Sequence, residues 1–335
     1  MLLNEIVPYT EIWFDCKKNL EISILQSIDN NNKNVVYNNS YEYYDRAVVT
    51  GSKKDFNVIT INTVLGIEGN LFHNPVSIIF NDNQELLNKI KGLLNENKFV
   101  FPSVDLYYWN KENLCYQRNH WYHRTLIQGY DKEKDCFWVF DASMGNEYGI
   151  FAVSSEDFVN AVNMSDVCDG KVITYDLNEN TAIRNITGSI LRSNAIELIN
   201  NIEKMEKKIY WEMPDEDFRF KSYLDYNYSC LTQVVQRQKA NLNLFNKIDK
   251  MNLLDNTEMN GVIDSCTKAI KKWDIIRNFL YKLYYFTEYN SGIININKMV
   301  KDVFSMEKHI WEAFLQITGN MDDNFEFFSF NKNQP

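Results

Sequence analysis

Residues 118–141 read RNHWYHRTLIQGYDKEKDCFWVFD, and this stretch has the pattern of a β-hairpin. Two apolar runs, 123–130 and 136–140, flank a charged DKEKD segment, which predicts antiparallel strands joined by a solvated turn. Such strands can bring His123, where the first begins, close to Asp141, where the second ends. A carboxylate beside an imidazole fixes its tautomer and stabilises its protonated form, so this pair could activate a thiol or a hydroxyl.

Cys16 is the candidate nucleophile. It opens a segment whose apolar residues recur at helical spacing on the side of Cys16, namely Leu20, Ile24, Leu25 and Ile28. Asp15 is the predicted N-cap, which places Cys16 in the first turn, where free N–H groups and the helix dipole stabilise a thiolate. A cysteine on an early helix, followed by histidine and aspartate on later neighbouring strands, is the order found in papain-like folds.

His120 is the alternative base, three residues before His123. Residues at odd spacing on an extended strand point to opposite faces, so only one of the two histidines can meet Cys16. A second carboxylate, Asp105, falls within the strand predicted over 99–109. It must face water or be paired, and it either lines the cleft or lies on the exposed face.

The segments HRTLIQGYD and FWVFDAS carry a family resemblance. They resemble the histidine and aspartate strands of peptidases that cut double-glycine leaders from bacteriocins. The resemblance is closer to butirosin-type aminoglycoside acyltransferases and related cysteine-protease-like enzymes that form amide bonds in polyamide pathways. In these families a histidine stands six residues before the Gly of a Gly-Tyr-Asp turn. The resemblance therefore implies a triad of Cys16, His123 and Asp141, and favours His123 over His120.

The resemblance covers roughly the first half of the chain, and two positions depart from it. Asp141 is followed by Ala142, where the peptidases commonly have Asp-Pro. No glutamine stands shortly before Cys16, so the donor to the oxyanion is unassigned.

The expected fold class is α+β. We expect a papain-like cysteine-protease domain with an N-terminal helix and an antiparallel sheet at residues 1–180, followed by an all-α domain at residues 181–335. In the second part glycine and proline nearly vanish, and four stretches show helical periodicity: 183–211, 218–254, 261–289 and 296–317. Two shorter helices are predicted over 84–95 and 155–162.

Composition excludes several classes of protein. The net charge of −10 and the pI of about 5.1 argue against a nucleic-acid partner. No apolar run approaches the roughly 20 residues that span a bilayer, and the start lacks a signal-peptide pattern, so we expect a soluble, cytoplasmic protein without a membrane partner. The six cysteines form no C-x-x-C motif, so we expect free thiols, no metal site and no cofactor.

A Cys–His–Asp site of this kind forms a thioester acyl-enzyme, which passes its acyl group to water or to an amine. The favoured expectation is an acyltransferase or amide synthase of nonribosomal peptide or polyamide antibiotic biosynthesis. It would take the acyl group from an acyl or peptidyl carrier protein and give it to a small amine. The helical half favours transfer, because a leader peptidase has no obvious use for it. The alternatives are a cysteine peptidase or amidase acting on a small peptide, and a non-catalytic binding protein of the same fold.

An acidic carrier protein would need a basic patch on this acidic chain. Three lysine clusters qualify: Lys17 with Lys18; Lys204 with Lys207 and Lys208; and Lys268 with Lys271 and Lys272. The middle cluster is favoured, because its spacing of i, i+3 and i+4 places all three on one side of a helix.

Overall fold

The computed structural model describes residues 2–50, 53–113, 115–143, 147–163, 170–178, 181–208, 217–251, 256–283, 289–319 and 321–330. The chain forms two compact units. The first unit comprises Met1–Lys33, Ile67–Arg184 and Phe330–Pro335, and the second comprises Asn34–Gly66 and Asn185–Ser329. Residues 34–66 therefore group with the C-terminal helices, although they fall within the domain predicted over 1–180.

The helices and strands are numbered in chain order. The helices are α1 (Cys16–Ile28), α2 (Asn83–Asn95), α3 (Ser155–Asn163), α4 (Gly188–Glu206), α5 (Asp217–Lys250), α6 (Asn256–Leu283) and α7 (Tyr289–Thr318). The strands are β1 (Tyr41–Thr50), β2 (Lys53–Thr63), β3 (Ile67–Glu68), β4 (Phe72–Ile78), β5 (Phe99–Asp105), β6 (Tyr122–Arg124), β7 (Ile127–Asp131), β8 (Cys136–Ala142), β9 (Tyr148–Ser154), β10 (Val172–Leu177), β11 (Ala182–Ile183), β12 (Ile186–Thr187) and β13 (Glu326–Phe328). The mixture of an N-terminal helix, antiparallel sheets and a helical C-terminal region is the predicted α+β class.

An antiparallel sheet forms the centre of the first unit. Its strand order is β4-β10-β5-β7-β8-β9, and β6 pairs with β5. Helices α2 and α3 pack on it through buried side chains such as Leu86, Ile90 and Phe158, which join Val139 and Val153 of the sheet in one apolar core. Burial of this apolar surface is the main stabilising contribution to the first unit.

The predicted hairpin of β7 and β8 is present, with its charged turn between them. The prediction that His123 begins the first of these strands is wrong. His123 lies in the separate strand β6, because the chain breaks at Thr125 and Leu126 before β7. The Thr125 hydroxyl donates to the Phe140 carbonyl, and the Phe140 N–H donates to the Leu126 carbonyl at 3.0 Å, which fixes this break against β8.

Helix α1 begins as predicted. The Asp15 carboxylate caps it by accepting from the Lys18 N–H at 2.7 Å. Leu20, Ile24 and Leu25 are buried, whereas Ile28 at the end of the predicted stripe is 41% exposed. The buried face of α1 therefore stops before the last residue of the apolar pattern, because Ile28 is the final residue of the helix.

The second unit contains the hairpin of β1 and β2 together with α4, α5, α6 and α7. The four helices confirm the helical periodicity of the C-terminal half. Tyr41 and Tyr43 of β1 are buried, and both hydroxyls bond to Gln238. These tyrosines are thus core residues.

The predicted lysine face on the first long helix is wrong. Helix α4 ends at Glu206, Lys207 is its C-cap, and Lys208 follows it. The Lys208 ammonium also pairs with Asp45 at 2.5 Å. Only Lys204 of the three lies within the helix, so the cluster is not one continuous basic face.

Helices that could cross a membrane are absent from the described residues, since none combines sufficient length with sufficient apolar character. Cys16, Cys115, Cys136 and Cys266 are free thiols, as predicted. Cys168 lies outside the described residues.

Candidate active site

The structure brings Cys16, His123 and Asp141 together. Three atoms lie within 4.8 Å of one another: the sulfur of Cys16, an imidazole nitrogen of His123 and a carboxylate oxygen of Asp141. The three residues come from α1, β6 and β8, which are far apart in sequence. The grouping predicted from the sequence is therefore present in the first unit.

His123 faces Asp141 with its Nε2 atom. This nitrogen lies 3.8 Å from Asp141 Oδ1, which exceeds the 2.7–3.2 Å usual for an N–H···O hydrogen bond. His123 Nε2 is buried and has no hydrogen-bond partner among the described residues. A shift of about 1 Å would close the bond, and catalytic hydrogen bonds are often long before substrate binds.

Asp141 is 1% exposed and is held by three donors. Its carboxylate accepts from the Ala142 N–H at 2.8 Å, from Asn110 at 3.3 Å and from Asn113 at 3.4 Å. Asn113 also donates to the Ala142 carbonyl at 3.3 Å. Because these donors fix the carboxylate, Asp141 can orient the His123 ring rather than rotate away from it.

Sequence reasoning missed Asn110 and Asn113. The only local signal is two asparagines at i and i+3 in an aromatic segment, and asparagine is usually a turn residue. Their contact with Asp141 joins positions about 30 residues apart and requires the folded sheet.

Asn19 fixes the chain before Cys16. Its side chain is fully buried, accepts from the Phe14 N–H at 2.8 Å, and donates to the Ile12 carbonyl at 2.8 Å and the Tyr9 carbonyl at 3.2 Å. One amide thus satisfies three backbone groups of the segment that leads into α1. This arrangement sets where the helix starts and hence where the sulfur lies.

Burial determines the resting charges of the site. It raises the pKa of the Cys16 thiol well above its ordinary value, and the charges of Asp141 and Asp15 raise it further, against a smaller opposing effect of the Cys16 backbone N–H. Burial also lowers the pKa of His123, and the charge of Asp141 opposes this only in part. The resting pair is therefore a neutral thiol and a neutral imidazole. The expected stabilisation of a thiolate by the helix N-terminus is outweighed.

His120 belongs to a different pair. Its Nδ1 lies 2.6 Å from the buried carboxylate of Asp105, and its ring stacks on Tyr107 with 4.3 Å between the ring centroids. In the sheet register Val104 faces His123 and Asp105 faces Tyr122. Successive residues of a strand point to opposite faces, so Asp105 and His120 lie across the strand from the His123 position. Asp105 is thus paired, and the choice of His123 agrees with the geometry.

The same three donors are also a possible metal site. Cysteine sulfur, imidazole nitrogen and carboxylate oxygen are all zinc ligands, and Zn²⁺ with three protein ligands keeps a position for water. Asn110, Asn113 and the Ala142 N–H already direct the Asp141 oxygens, as second-shell donors do for a metal ligand. The residues fit either a thiol nucleophile or a three-ligand metal site.

A cavity of 640 Å³ lies elsewhere in the first unit, lined by residues such as Leu3, Lys91 and Tyr130. Cys16, His123 and Asp141 do not line it. This cavity is therefore separate from the candidate site, which we place by its reactive groups.

Comparison with known proteins found no matching protein-family model and no significant match among curated proteins.

Proposed function

We propose that the protein is a cysteine-dependent acyltransferase that forms amide bonds in natural-product biosynthesis. The observation that carries this proposal is the convergence of Cys16, His123 and Asp141 within 4.8 Å. The fold proposed for the first unit is papain-like, on the basis of the same three residues and their order. The proposed location is the cytoplasm.

Acylation begins from the neutral pair. As the Cys16 sulfur attacks the carbonyl carbon of a donor thioester, His123 takes its proton and Asp141 stabilises the imidazolium that forms. The carbonyl π pair moves to oxygen and returns when the donor thiolate leaves. The leaving sulfur takes the proton from His123, which gives a free donor thiol and an acyl group on Cys16. Nε2 faces Asp141, so Nδ1 is the nitrogen that exchanges this proton.

Transfer reverses the sequence with an amine as the attacking group. The amine nitrogen attacks the Cys16 thioester, loses a proton to His123, and the Cys16 sulfur leaves and takes that proton. The products are an amide and the free Cys16 thiol. We propose transfer rather than hydrolysis for the second half of the reaction, in which the orienting Asp141 is 1% exposed and Cys16 is half-buried.

The proposed donor is an acyl or peptidyl carrier protein, and the proposed acceptor is a small amine. Lys17, next to the nucleophile, has an 84% exposed side chain and only a 3.8 Å contact with Glu21, so it is available to an acidic carrier surface. Lys18 is less available, because its ammonium pairs with Asp15 at 2.8 Å.

A small benzoyl thioester of N-acetylcysteamine tests the acyl-enzyme. We expect intact-mass spectrometry to show one benzoyl adduct on the wild-type protein and on Cys115→Ala, and none on Cys16→Ala. Adding butylamine should release the benzoyl group as N-butylbenzamide. The ratio of this amide to benzoic acid should rise with the amine concentration. An adduct that persists on Cys16→Ala would exclude this nucleophile, and benzoic acid alone would favour the peptidase or amidase alternative.

The second candidate is zinc binding by the same three residues, which the cluster of donors favours. Elemental analysis of the purified protein separates the two. We expect less than one tenth of an equivalent of zinc, and acylation that survives EDTA. One equivalent of zinc lost in Cys16→Ala would overturn the covalent proposal, and a protein that neither acylates nor binds metal would fit the non-catalytic alternative.

A further inference from the structure

Helix α6 carries a row of lysines on the side away from its core contacts. The buried side chains of this helix recur at helical spacing on one side: Val262, Cys266, Ala269, Trp273, Ile276 and Leu280. The opposite side, here called the basic face of α6, consists of Lys268, Lys271, Lys272, Ile275 and Lys282. All of these residues are exposed except Lys272, which is half-buried.

The ammonium groups of the basic face have no carboxylate partner among the described residues. Asp274, which is close to them in sequence, pairs instead with Arg277 at 2.6 Å. Asp264 is exposed one turn before Lys268, and these two described residues form no ion pair. The basic face therefore keeps a net positive charge in a protein whose net charge is −10.

The spacing of these lysines works against the helix itself. Lys268 is three residues from Lys271 and four from Lys272, so like charges are neighbours on the helix surface. Like-charged pairs at such spacing destabilise a helix. A negatively charged partner laid along the face would turn this repulsion into attraction.

Ile275 gives the basic face an apolar centre. It is 55% exposed, and it lies seven residues from both Lys268 and Lys282. An apolar centre with a charged rim is the composition of a protein–protein interface. The face is about 21 Å long at a rise of 1.5 Å per residue, so a partner helix of about four turns would cover it.

We propose that the basic face of α6 binds an acidic amphipathic helix of a partner protein. Carboxylates at i, i+3, i+4 and i+7 of that helix would meet the lysines, and an apolar side chain among them would cover Ile275. The face contains the third lysine cluster found in the sequence, and its role does not depend on chemistry at Cys16. Nucleic acid and anionic lipid match the charge of the face, but neither requires an apolar contact at its centre, and the net charge of −10 opposes nucleic acid.

Two fluorescein-labelled peptides test this proposal. The first is a capped helical peptide of about 18 residues, with glutamates at i, i+3, i+4 and i+7 around one leucine and with alanine and glutamine elsewhere. The second has the same composition, with its glutamates spread evenly around the helix. Fluorescence anisotropy at low ionic strength should show the full-length protein binding the first peptide about tenfold more tightly than the second, and added salt should weaken this binding.

Charge reversal on the basic face should remove the preference. Lys268→Glu combined with Lys271→Glu should weaken binding of the first peptide about tenfold or more. The matched control, Lys298→Glu with Lys301→Glu, makes the same change at the same spacing on exposed positions of α7, and should stay within about twofold of wild type. Ile275→Ala keeps the charge and favours the helix, and should weaken binding about threefold through lost apolar contact.

Three results would overturn the proposal. Equal binding of the two peptides, or no binding of the first, would mean that the face does not recognise an acidic helix. An equal loss in the α7 control would mean that net charge, rather than the basic face, drives binding. Unchanged affinity in Ile275→Ala, with tighter binding of duplex DNA or of phosphatidylserine vesicles than of peptide, would assign the face to one of those polyanions.

Discussion

In the proposed mechanism His123 has two tasks, one for each ring nitrogen. Nε2 faces the carboxylate of Asp141, which leaves Nδ1 to exchange a proton with Cys16. A neutral imidazole does this only in one tautomer, with the proton on Nε2. The fixed carboxylate therefore determines which nitrogen acts as the base.

His123→Ala should lower single-turnover acylation by several orders of magnitude, because it removes the imidazole that lies beside the sulfur. His120→Ala should change it by less than about threefold, because His120 bonds Asp105 on the other side of the strand. Both variants are measured with the benzoyl thioester. An inactive His120→Ala beside an active His123→Ala would contradict the assignment of the base.

The acid limb of the pH profile should report His123. Its pKa is lowered by burial from the ordinary 6.5, and the base works only when neutral, so the acylation rate should fall with a midpoint below pH 6.5. The negative charge of Asp141 raises this pKa, so Asp141→Asn should move the midpoint of its residual activity to a still lower pH.

The matched control for that profile is Asp82→Asn. It also replaces a carboxylate by an amide, but at the N-cap of α2, where asparagine caps a helix as well as aspartate does. Its midpoint should equal that of wild type. A wild-type midpoint above pH 6.5, or an upward shift in Asp141→Asn, would mean that His123 is not the titrating base.

At the scale of elements, the start of α1 depends on a side chain in its own first turns. Asp15 caps the helix from outside, and Asn19 ties the preceding segment down from within. Asn19 has little intrinsic helix preference, and its place in α1 is explained by these backbone contacts.

Asn19→Ala should therefore reduce both stability and reactivity. It removes the hydrogen bonds of the Asn19 amide to buried backbone groups of residues 9, 12 and 14, which should cost about 3 kcal/mol in the free energy of unfolding. Alkylation of Cys16 by iodoacetamide should slow at least tenfold, because the helix start that positions the sulfur is released. Denaturant unfolding and peptide mass mapping measure the two effects.

Asn88→Ala provides the comparison for Asn19→Ala. Asn88 is an exposed residue of α2 that accepts a bond from Gln84, so its loss should stay within about 0.5 kcal/mol. Wild-type stability in Asn19→Ala would show that these backbone groups find other partners.

At the scale of the whole molecule, the second unit contains a buried acid at its centre. Glu307 is 1% exposed and accepts hydrogen bonds from Tyr43, Gln238 and Trp273. These partners come from β1, α5 and α6, so a single carboxyl group links the hairpin to the helices of its unit. Burial raises the pKa of Glu307 from 4.5 to about 7, against the opposing effect of these donors.

This raised pKa makes the stability of the second unit depend on pH. Between pH 4.5 and about 7 the folded state holds a proton on Glu307 that the unfolded state has released, so stability should fall as pH rises through this window. A shift of this size corresponds to about 3 kcal/mol. The contribution is complete below pH 4.5 and lost above about pH 7.

Glu307→Gln isolates this contribution, because the amide does not titrate. Chemical unfolding followed by circular dichroism at 222 nm should show a wild-type stability that falls more steeply from pH 5 to pH 8 than that of the variant. Parallel curves for the two proteins would mean that Glu307 is ionised in the folded state at pH 5, contrary to its burial.

Local pattern alone determined the helices, the α1 cap at Asp15 and the hairpin of β7 and β8, because periodicity, caps and turns depend on residues a few positions apart. The sequence also singled out Cys16, His123 and Asp141, since their types and order carry chemical meaning. It misplaced His123 on β7, because the break at Thr125 is made by hydrogen bonds to β8 and has no local signal.

Only the tertiary structure decided the rest of the site. Asn110 and Asn113 donate hydrogen bonds to Asp141 from positions about 30 residues earlier in the chain. The two largest effects on the pKa of the Cys16 thiol, burial and the charge of Asp141, were also beyond local reasoning. A helix start favours a thiolate, but burial and two nearby carboxylates outweigh it, and burial exists only once the chain has folded.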